Sequence, residues 1–377
     1  MVIAMALDVV TIRGDQGDLD RIRKAAELVE AGGLVAFPTE TVYGIACRVE
    51  RKSLSRLDKI KGREANKHYT LHIGQIEQFH EHVPQVGIRA EKLIRQAWPG
   101  PLTLVFELAR AHVEQQRQRV GTRVADVLYK DDSIGIRYPD HPVAALLLRL
   151  VPRPVVAPSA NRAGREPPTD ADQVLAALGD DVDMLLDAGP CKYKNSSTVA
   201  MVGRDAIRVL REGVYSQSEI RGMSQVVFLF VCTGNTCRSP MGEGLFRKHL
   251  AEKIGCSIDE LEEAGYRVLS AGTMNLVGVP ASAGAVTACS RKGVDLRGHA
   301  SQHLTRSLID TSDVIFCMTR SHCEQVLFLA PDADKKCLLL AQDRDIPDPI
   351  GQAQPFFDGC ADIIESAVKA RISELVL

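Results

Sequence analysis

The sequence predicts an α/β protein in two domains, a mixed-sheet domain followed by a doubly wound parallel-sheet domain. Three observations carry that expectation. The chain has 377 residues, about two to three times the length of a typical single domain. In its second half, apolar runs of strand length alternate with segments of helical period, the pattern of a parallel sheet covered on both faces. Between the halves, REGVYSQSEIRGMSQ (211–225) is polar and without apolar periodicity. The expected domains are therefore 1–215 and 225–377, joined by a linker at 216–224.

Composition excludes several classes. Hydrophobic residues make up 45% and charged residues 25% of the chain, enough apolar material for real cores and not the bias of a disordered protein. The longest apolar run, Val226–Cys232, is far short of the ~20 residues of a membrane span. The opening MVIAMALDVV has no basic leader and soon meets Asp8, so a cytoplasmic location is expected. The ten cysteines, eight of them after residue 230, then read as free thiols. A net charge of -2, with neither half basic, argues against a generic polyanion binder.

The first half opens with a helix, DRIRKAAELVEAGG, whose Ile22, Ala25, Ala26 and Val29 share a face and which stops at Gly32 and Gly33. A strand, LVAFPT, follows. Next comes a basic helix, SLSRLDKIKG, with Leu54, Leu57 and Ile60 turned inward. Strand candidates are TLHI, LTLVFEL, SIGIRY, PVVAPS and STVAMV, with another helix at DADQVLAALG. In the second half, VVFLFV (226–231) reads as a buried strand leading into SPMGEGLFRKHLAEKIG, a helix with Ser239 at the N-cap, Pro240 at N1 and Gly255 past its end. RVLSAG, VIFCM and CLLLA read as further strands, with helices at ASAGAVTACSRKG and ADIIESAVKARISEL.

The strand-to-helix turn of the second half reads CTGNTCR, Cys232 to Arg238, followed by Ser239 and Pro240. A loop feeding a helix N-terminus suits a phosphate dianion, and the Arg238 fork can hold two of its oxygens. The same positive field favours a Cys232 thiolate, a nucleophile for phosphoryl transfer. A cysteine and an arginine six residues apart recur by chance. The context adds weight: a strong strand before, Gly234 and Asn235 for unusual backbone angles, and DIPDPIG downstream, where Asp348 can act as general acid or serve as a turn residue.

From about Val226 onward this half resembles the low-molecular-weight protein tyrosine phosphatase family, in the loop, its Ser-Pro, the SAGT segment and the Asp-Pro loop. The resemblance implies a protein phosphatase that works through a phosphocysteine, needs no metal and acts on phosphoprotein substrates. Cys232 is then the nucleophile, Arg238 the phosphate clamp, Ser239 the hydroxyl that steadies the thiolate, Asn235 the loop organiser and Asp348 the general acid. Where tyrosine-specific members usually place aromatic residues after the Asp-Pro pair, this chain has Ile350 and Gly351. Thr236 also stands where those members tend to carry an aliphatic residue. The text CTGNTCRSPM resembles bacterial protein-arginine phosphatases, which implies phosphoarginine as substrate. Cys237 reads either as a partner that traps oxidised Cys232 or as a small buried filler.

Two other cysteine chemistries have less support. Arsenate reductases share the phosphatase fold and use additional cysteines as a relay; Cys317, Cys323 and Cys337 are available, without a pair to single out. A zinc site from Cys289, His299 and His303 lacks a paired C-x2-C element. His80-Glu81-His82 lacks the spacing of a metalloprotease helix and is expected to be solvated.

In the first half neither phosphate-loop glycine motif occurs at a strand-to-helix turn. Seven basic residues, Arg51, Lys52, Arg56, Lys59, Lys61, Arg63 and Lys67, lie within 51–67. Most read as a solvated helix face, while Arg63 and Lys67, beyond Gly62, are placed to grip a triphosphate. PTETVYG (38–44), GIRYPDHP (135–142) and PSANRAG (158–164) read as binding loops at strand ends.

Together, and in this order, these loops resemble the YrdC family of threonylcarbamoyl-AMP synthases, from about Leu19 to Tyr215, including KIKGR, WPGPLTL, SSTV and REG. The resemblance implies condensation of L-threonine, bicarbonate and ATP, with Mg2+, into L-threonylcarbamoyladenylate and pyrophosphate. A tRNA-modifying threonylcarbamoyl transferase is the implied partner, with a contact to tRNA. Arg63, Lys67, Ser159, Asn161 and Arg211 are implied on the ATP side, and Thr39, His72, Arg137 and Ser197 on the threonine side. His68 and Tyr69 depart from the Lys-Pro-Leu that the family usually carries. The alternative is a non-catalytic RNA-binding module attached to an active phosphatase.

Overall fold

The structure, a computed structural model, describes residues 7–62, 69–203 and 207–375. The chain divides into two compact units, one of residues up to 86 and 93–223, the other of 87–92 and 224–377.

Among the described residues the first unit is built on ten strands: β1 (Asp8–Thr11), β2 (Val35–Phe37), β3 (Gly44–Arg48), β4 (Thr70–His72), β5 (Leu102–Glu107), β6 (Ser133–Arg137), β7 (Val155–Val156), β8 (Met184–Asp187), β9 (Thr198–Val202) and β10 (Ile207–Arg211). They form one sheet in the order β1-β8-β2-β3-β7-β4-β6-β5-β9-β10. The sheet combines parallel pairs (β4 with β6, β5 with β9) with antiparallel ones (β3 with β7, β5 with β6), so it is mixed, as expected. The helix Asp18–Glu30 buries Ile22, Ala25, Ala26 and Val29 against Val35, Phe37 and the helix Pro142–Leu150. In the basic helix Arg51–Lys61, Leu54, Leu57 and Ile60 face inward as their spacing predicts. PVVAPS shortens to two residues because Pro154 and Pro158 bracket it and cannot donate to a ladder.

The second unit carries β11 (Val226–Cys232), β12 (Tyr266–Gly272), β13 (Val314–Cys317) and β14 (Cys337–Leu339), all parallel, in the order β12-β11-β13-β14. Every residue of β11 is buried. Its alternate side chains serve two cores. Phe228 and Phe230 meet Phe246 of the helix Arg238–Ile254, with ring centroids 4.7 and 5.3 Å apart, while Leu229 and Val231 pack with Ile309, Val326 and Ala330 on the other face. This is the doubly covered sheet that the sequence predicts, and it delivers Cys232 to the carboxyl end of the central strand.

Two local expectations change. The helix after the loop begins at Arg238, with Cys237 at its N-cap, so Ser239 and Pro240 lie in the first turn. The polar segment expected as a linker contains a helix, Gln217–Ser224. Gly255 ends the helix in a left-handed conformation, as expected, with φ 82°. Among the described residues no helix is long and apolar enough to cross a membrane.

Candidate functional sites

In the second unit, Cys232 lies 2% exposed at the end of β11. Its sulfur meets Ser239 Oγ at 3.0 Å and accepts from the Asn235 backbone N–H at 3.2 Å. Asn235 is fully buried, left-handed at φ 52°, and its side chain organises the loop. Its Nδ2 donates to Ser239 Oγ (2.9 Å) and Ser270 Oγ (2.8 Å), and its Oδ1 accepts from Gln302 N–H (2.9 Å). Asn235 fills an acceptor position of Ser239, whose O–H has the Cys232 sulfur at 3.0 Å and Ala271 O at 3.4 Å as acceptors within reach.

Gly272, at the end of β12, lets the loop lie directly on it: a Cβ there would sit 2.8 Å from Thr233 O and 3.0 Å from Asn235 N. The backbone at the end of the SAGT segment and just after it also donates to the loop, from Thr273 to Cys232 O (3.0 Å) and from Met274 to Thr233 O (2.9 Å).

Arg238 is 4% exposed. It donates to Ile346 O (3.2 Å) and Thr233 Oγ1 (3.3 Å) and forms an ion pair with the half-exposed Asp348. Its buried Nε has no partner among the described residues, an unmet donor that costs about 1–3 kcal/mol until an acceptor arrives. Cys232, Arg238 and Asp348 thus converge on one loop. Thr236 is half-buried, its Oγ1 3.7 Å from the sulfur of buried Cys237, which in turn donates to Ser282 Oγ at 3.2 Å.

His322 was not singled out from the sequence. Its Nε2 lies 2.9 Å from Thr233 Oγ1, and burial, helped by Arg238, pushes its pKa down to about 4. Only the fold brings it here, from the helix Arg320–Leu329. Burial likewise raises the pKa of Glu243, which accepts from Ser270 Oγ at 2.6 Å behind Asn235.

The zinc alternative dissolves in the structure: His299 donates from Nε2 to Asn235 O at 2.7 Å and serves the loop. Cys317, Cys323 and Cys337, by contrast, come together. His82, expected in solvent, is 5% exposed, bonded to Tyr129 Oη at 2.5 Å, and burial lowers its pKa to about 4.

In the first unit, strands and loops distant in sequence enclose a cavity of about 180 Å³ lined by His72, Thr103, Arg137, Ser159, Ser197, Arg211 and their neighbours. Five of the predicted binding residues therefore share one wall. Arg137 is 6% exposed and directs Nη2 to Glu40 Oε1 (2.9 Å), Thr41 Oγ1 (2.5 Å) and Thr39 Oγ1 (3.3 Å). Arg211 donates to Ser197 O at 2.7 Å, and its pKa is lowered by burial and by the charge of Arg137. With Glu40 balancing Arg137, the added charge of Arg211 leaves this partly dry wall net positive, an arrangement that can take an anion. His72 donates from Nδ1 to Thr70 O (3.1 Å), and burial lowers its pKa to about 3. It is therefore neutral, with Nε2 as an acceptor.

Thr39 and Asn161 stand behind this wall. Thr39 braces Arg137, and Asn161 holds the ammonium of Lys61, from Oδ1 at 2.9 Å and from its carbonyl at 2.5 Å. Lys61 and Glu40, 6% and 1% exposed, escaped the sequence reading; a lysine in a basic run reads as solvated, and a lone glutamate carries no pattern. Arg63, Lys67 and His68 lie outside the described residues. Tyr69 is buried and bonds to Asp58.

Residues 27–213 match the Sua5/YciO/YrdC family, described as Telomere recombination, and residues 227–376 match the Low molecular weight phosphotyrosine protein phosphatase family. The first half is 30% identical to the threonylcarbamoyl-AMP synthase of Nitrosococcus oceani over 185 residues, 47% of this chain and 94% of that protein. The second half is 38% identical to the low molecular weight protein-tyrosine-phosphatase Etp of Escherichia coli (strain K12) over 151 residues, 38% of this chain and 93% of that protein. A solved structure of a doubly substituted Pyrococcus abyssi Sua5 shares the fold with TM-score 0.50 and 23% identity, covering 71% of this chain and 91% of that one. The relatives of both halves are enzymes by name, and the chain belongs to both families: a Sua5/YrdC threonylcarbamoyl-AMP synthase domain followed by a low molecular weight protein tyrosine phosphatase domain.

Proposed function

We propose that the first domain condenses L-threonine, bicarbonate and ATP into L-threonylcarbamoyladenylate and pyrophosphate, for transfer to tRNA by a partner enzyme. The observation that carries this reading is the joint presence of Arg137, Arg211, His72, Ser159 and Ser197 on one small cavity. The threonine carboxylate pairs with Arg137, oriented by Glu40, Thr41 and Thr39. Neutral His72 accepts from a substrate N–H or O–H, while Ser197, Ser159 and Arg211 meet threonine and the adjoining phosphate. Arg63 and Lys67, outside the described residues, are assigned to the ATP phosphates on the family resemblance alone. No described residue lining the cavity is acidic, and Mg2+ fits as an ion carried by the ATP phosphates. Threonine-dependent pyrophosphate release tests this: Arg137→Ala raises the threonine KM, and an unchanged KM contradicts the assignment. Salt-sensitive RNA binding without ATP consumption would favour the non-catalytic reading.

For the second domain we infer a metal-independent phosphatase. Cys232, with Ser239 and Asn235 N–H donating to its sulfur, attacks the phosphorus; Arg238 holds the equatorial oxygens, and the phosphate supplies Nε with the acceptor it lacks. Asp348 protonates the leaving group and then activates the water that cleaves the phosphocysteine. Ile350 and Gly351 after Asp348-Pro349, and Thr236 in the loop, support phosphoarginine over phosphotyrosine. Cys232→Ser abolishes turnover, and hydrolysis of phosphotyrosine but not phosphoarginine contradicts the specificity. Both activities fit a cytoplasmic enzyme acting on phosphoprotein substrates and serving tRNA modification.

A further inference from the structure

Cys317, Cys323 and Cys337 place their three sulfurs within 4.8 Å of one another. Strand register produces this arrangement. Cys337 pairs with Ile315 across β13 and β14, and Ile315 and Cys317, two residues apart, share a face, so Cys337 and Cys317 share it too. Their sulfurs are 3.7 Å apart. The helix Arg320–Leu329 covers that face, its Val326 packing in the core with Cys317, and brings Cys323 over the pair. All three are free thiols; Cys317 is buried, whereas Cys323 and Cys337 are half-exposed and give an ion a path inward. The Cys232 sulfur has its own partners, Ser239 and Asn235, so the trio is a separate cluster.

We propose that Cys317, Cys323 and Cys337 form a binding site for one soft d10 cation, Zn(II) or Cu(I). A metal with metal–sulfur bonds of about 2.3 Å, in tetrahedral or trigonal geometry, sets its sulfurs about 3.8–4.0 Å apart, a span the trio reaches with small side-chain rotations. Thiolates select such ions over hard cations. On binding, each ligating thiol exchanges its S–H bond for a metal–sulfur bond and gives its proton to the buffer. Cu(I) is satisfied by three sulfurs, and Zn(II) adds a water on the half-exposed side.

The test uses the full chain carrying Cys232→Ser, so that the nucleophile cannot hold metal. Zn(II), or Cu(I) under anaerobic reductant, is supplied alone, and metal per chain is counted after gel filtration against a chromophoric chelator. One equivalent of either ion is expected to stay bound. Cys323→Ser and Cys337→Ser, chosen because Cys317 lies in the core, each weaken retention at least tenfold, while Cys256→Ser leaves it unchanged. Thermal unfolding confirms that the variants fold. Retention of neither ion overturns the proposal, as does retention that both substitutions leave intact.

Discussion

Asn235→Ala puts the organisation of the phosphatase loop to a quantitative test. The amide makes three hydrogen bonds, to Ser239, Ser270 and Gln302. Ser239 keeps Cys232 and Ser270 keeps Glu243 as partners, so these two losses cost about 0.5–1.5 kcal/mol each. The Gln302 N–H loses its only side-chain acceptor, about 1–3 kcal/mol. Alanine at the φ of 52° adds about 1 kcal/mol of backbone strain. The sum is about 3–7 kcal/mol, which for a unit of this size lowers its unfolding temperature by about 10 °C or more. Calorimetry of the full chain, resolving the transitions of its two domains, reads the shift. Phosphatase kcat falls at least tenfold because the Ser239 hydroxyl is no longer aimed at the sulfur, while the synthase is unaffected. A transition and a kcat both indistinguishable from those of the unsubstituted protein would refute the reasoning.

Gly272→Ala forces a Cβ against Thr233 O and Asn235 N, so phosphatase kcat/KM is expected to drop at least tenfold with adenylate formation intact; equal activity would show that the loop yields. Arg137→Met leaves Glu40, 1% exposed, as an uncompensated buried carboxylate and should destabilise the first domain by about 3–5 kcal/mol. Adding Glu40→Gln should recover part of that loss in denaturant unfolding, and strict additivity would count against the pair. His322 has its pKa pushed down to about 4 from 6.5, so between those values the unfolded chain takes up a proton there that the folded chain does not. Its contribution is complete above pH 6.5 and is lost as pH falls toward 4. The second domain's unfolding temperature in His322→Gln should therefore fall less between pH 7 and pH 5 than in the parent, and parallel profiles would exclude this role.

The segments legible in the sequence are those whose pattern is local. The β11 run, the turn and the following helix sit within Val226–Gly255, and Leu54, Leu57 and Ile60 give away the inward face of their helix. β3, β8 and β10 lacked such a signal: short strands fully or partly covered by neighbours read neither as clean alternation nor as long apolar runs. Ser239 misleads because its residue type, followed by proline, is that of a cap, yet its hydroxyl is engaged with a thiol seven positions earlier. Glu40, Lys61 and His322 acquire their places through contacts with residues 97, 100 and 89 positions away. The register that gathers Cys317 and Cys337 exists only once β13 and β14 pair.

The central claim is that one chain holds two independent active sites. Its most direct test incubates the full-length protein, as wild type, Arg137→Ala and Cys232→Ser, with ATP, Mg2+, bicarbonate and L-threonine, detects the adenylate by mass, and assays phosphatase turnover on the same samples. The account predicts threonine-dependent adenylate in the wild type and Cys232→Ser, little in Arg137→Ala, and phosphatase turnover lost only in Cys232→Ser. No adenylate from a wild-type sample whose phosphatase is active would contradict it.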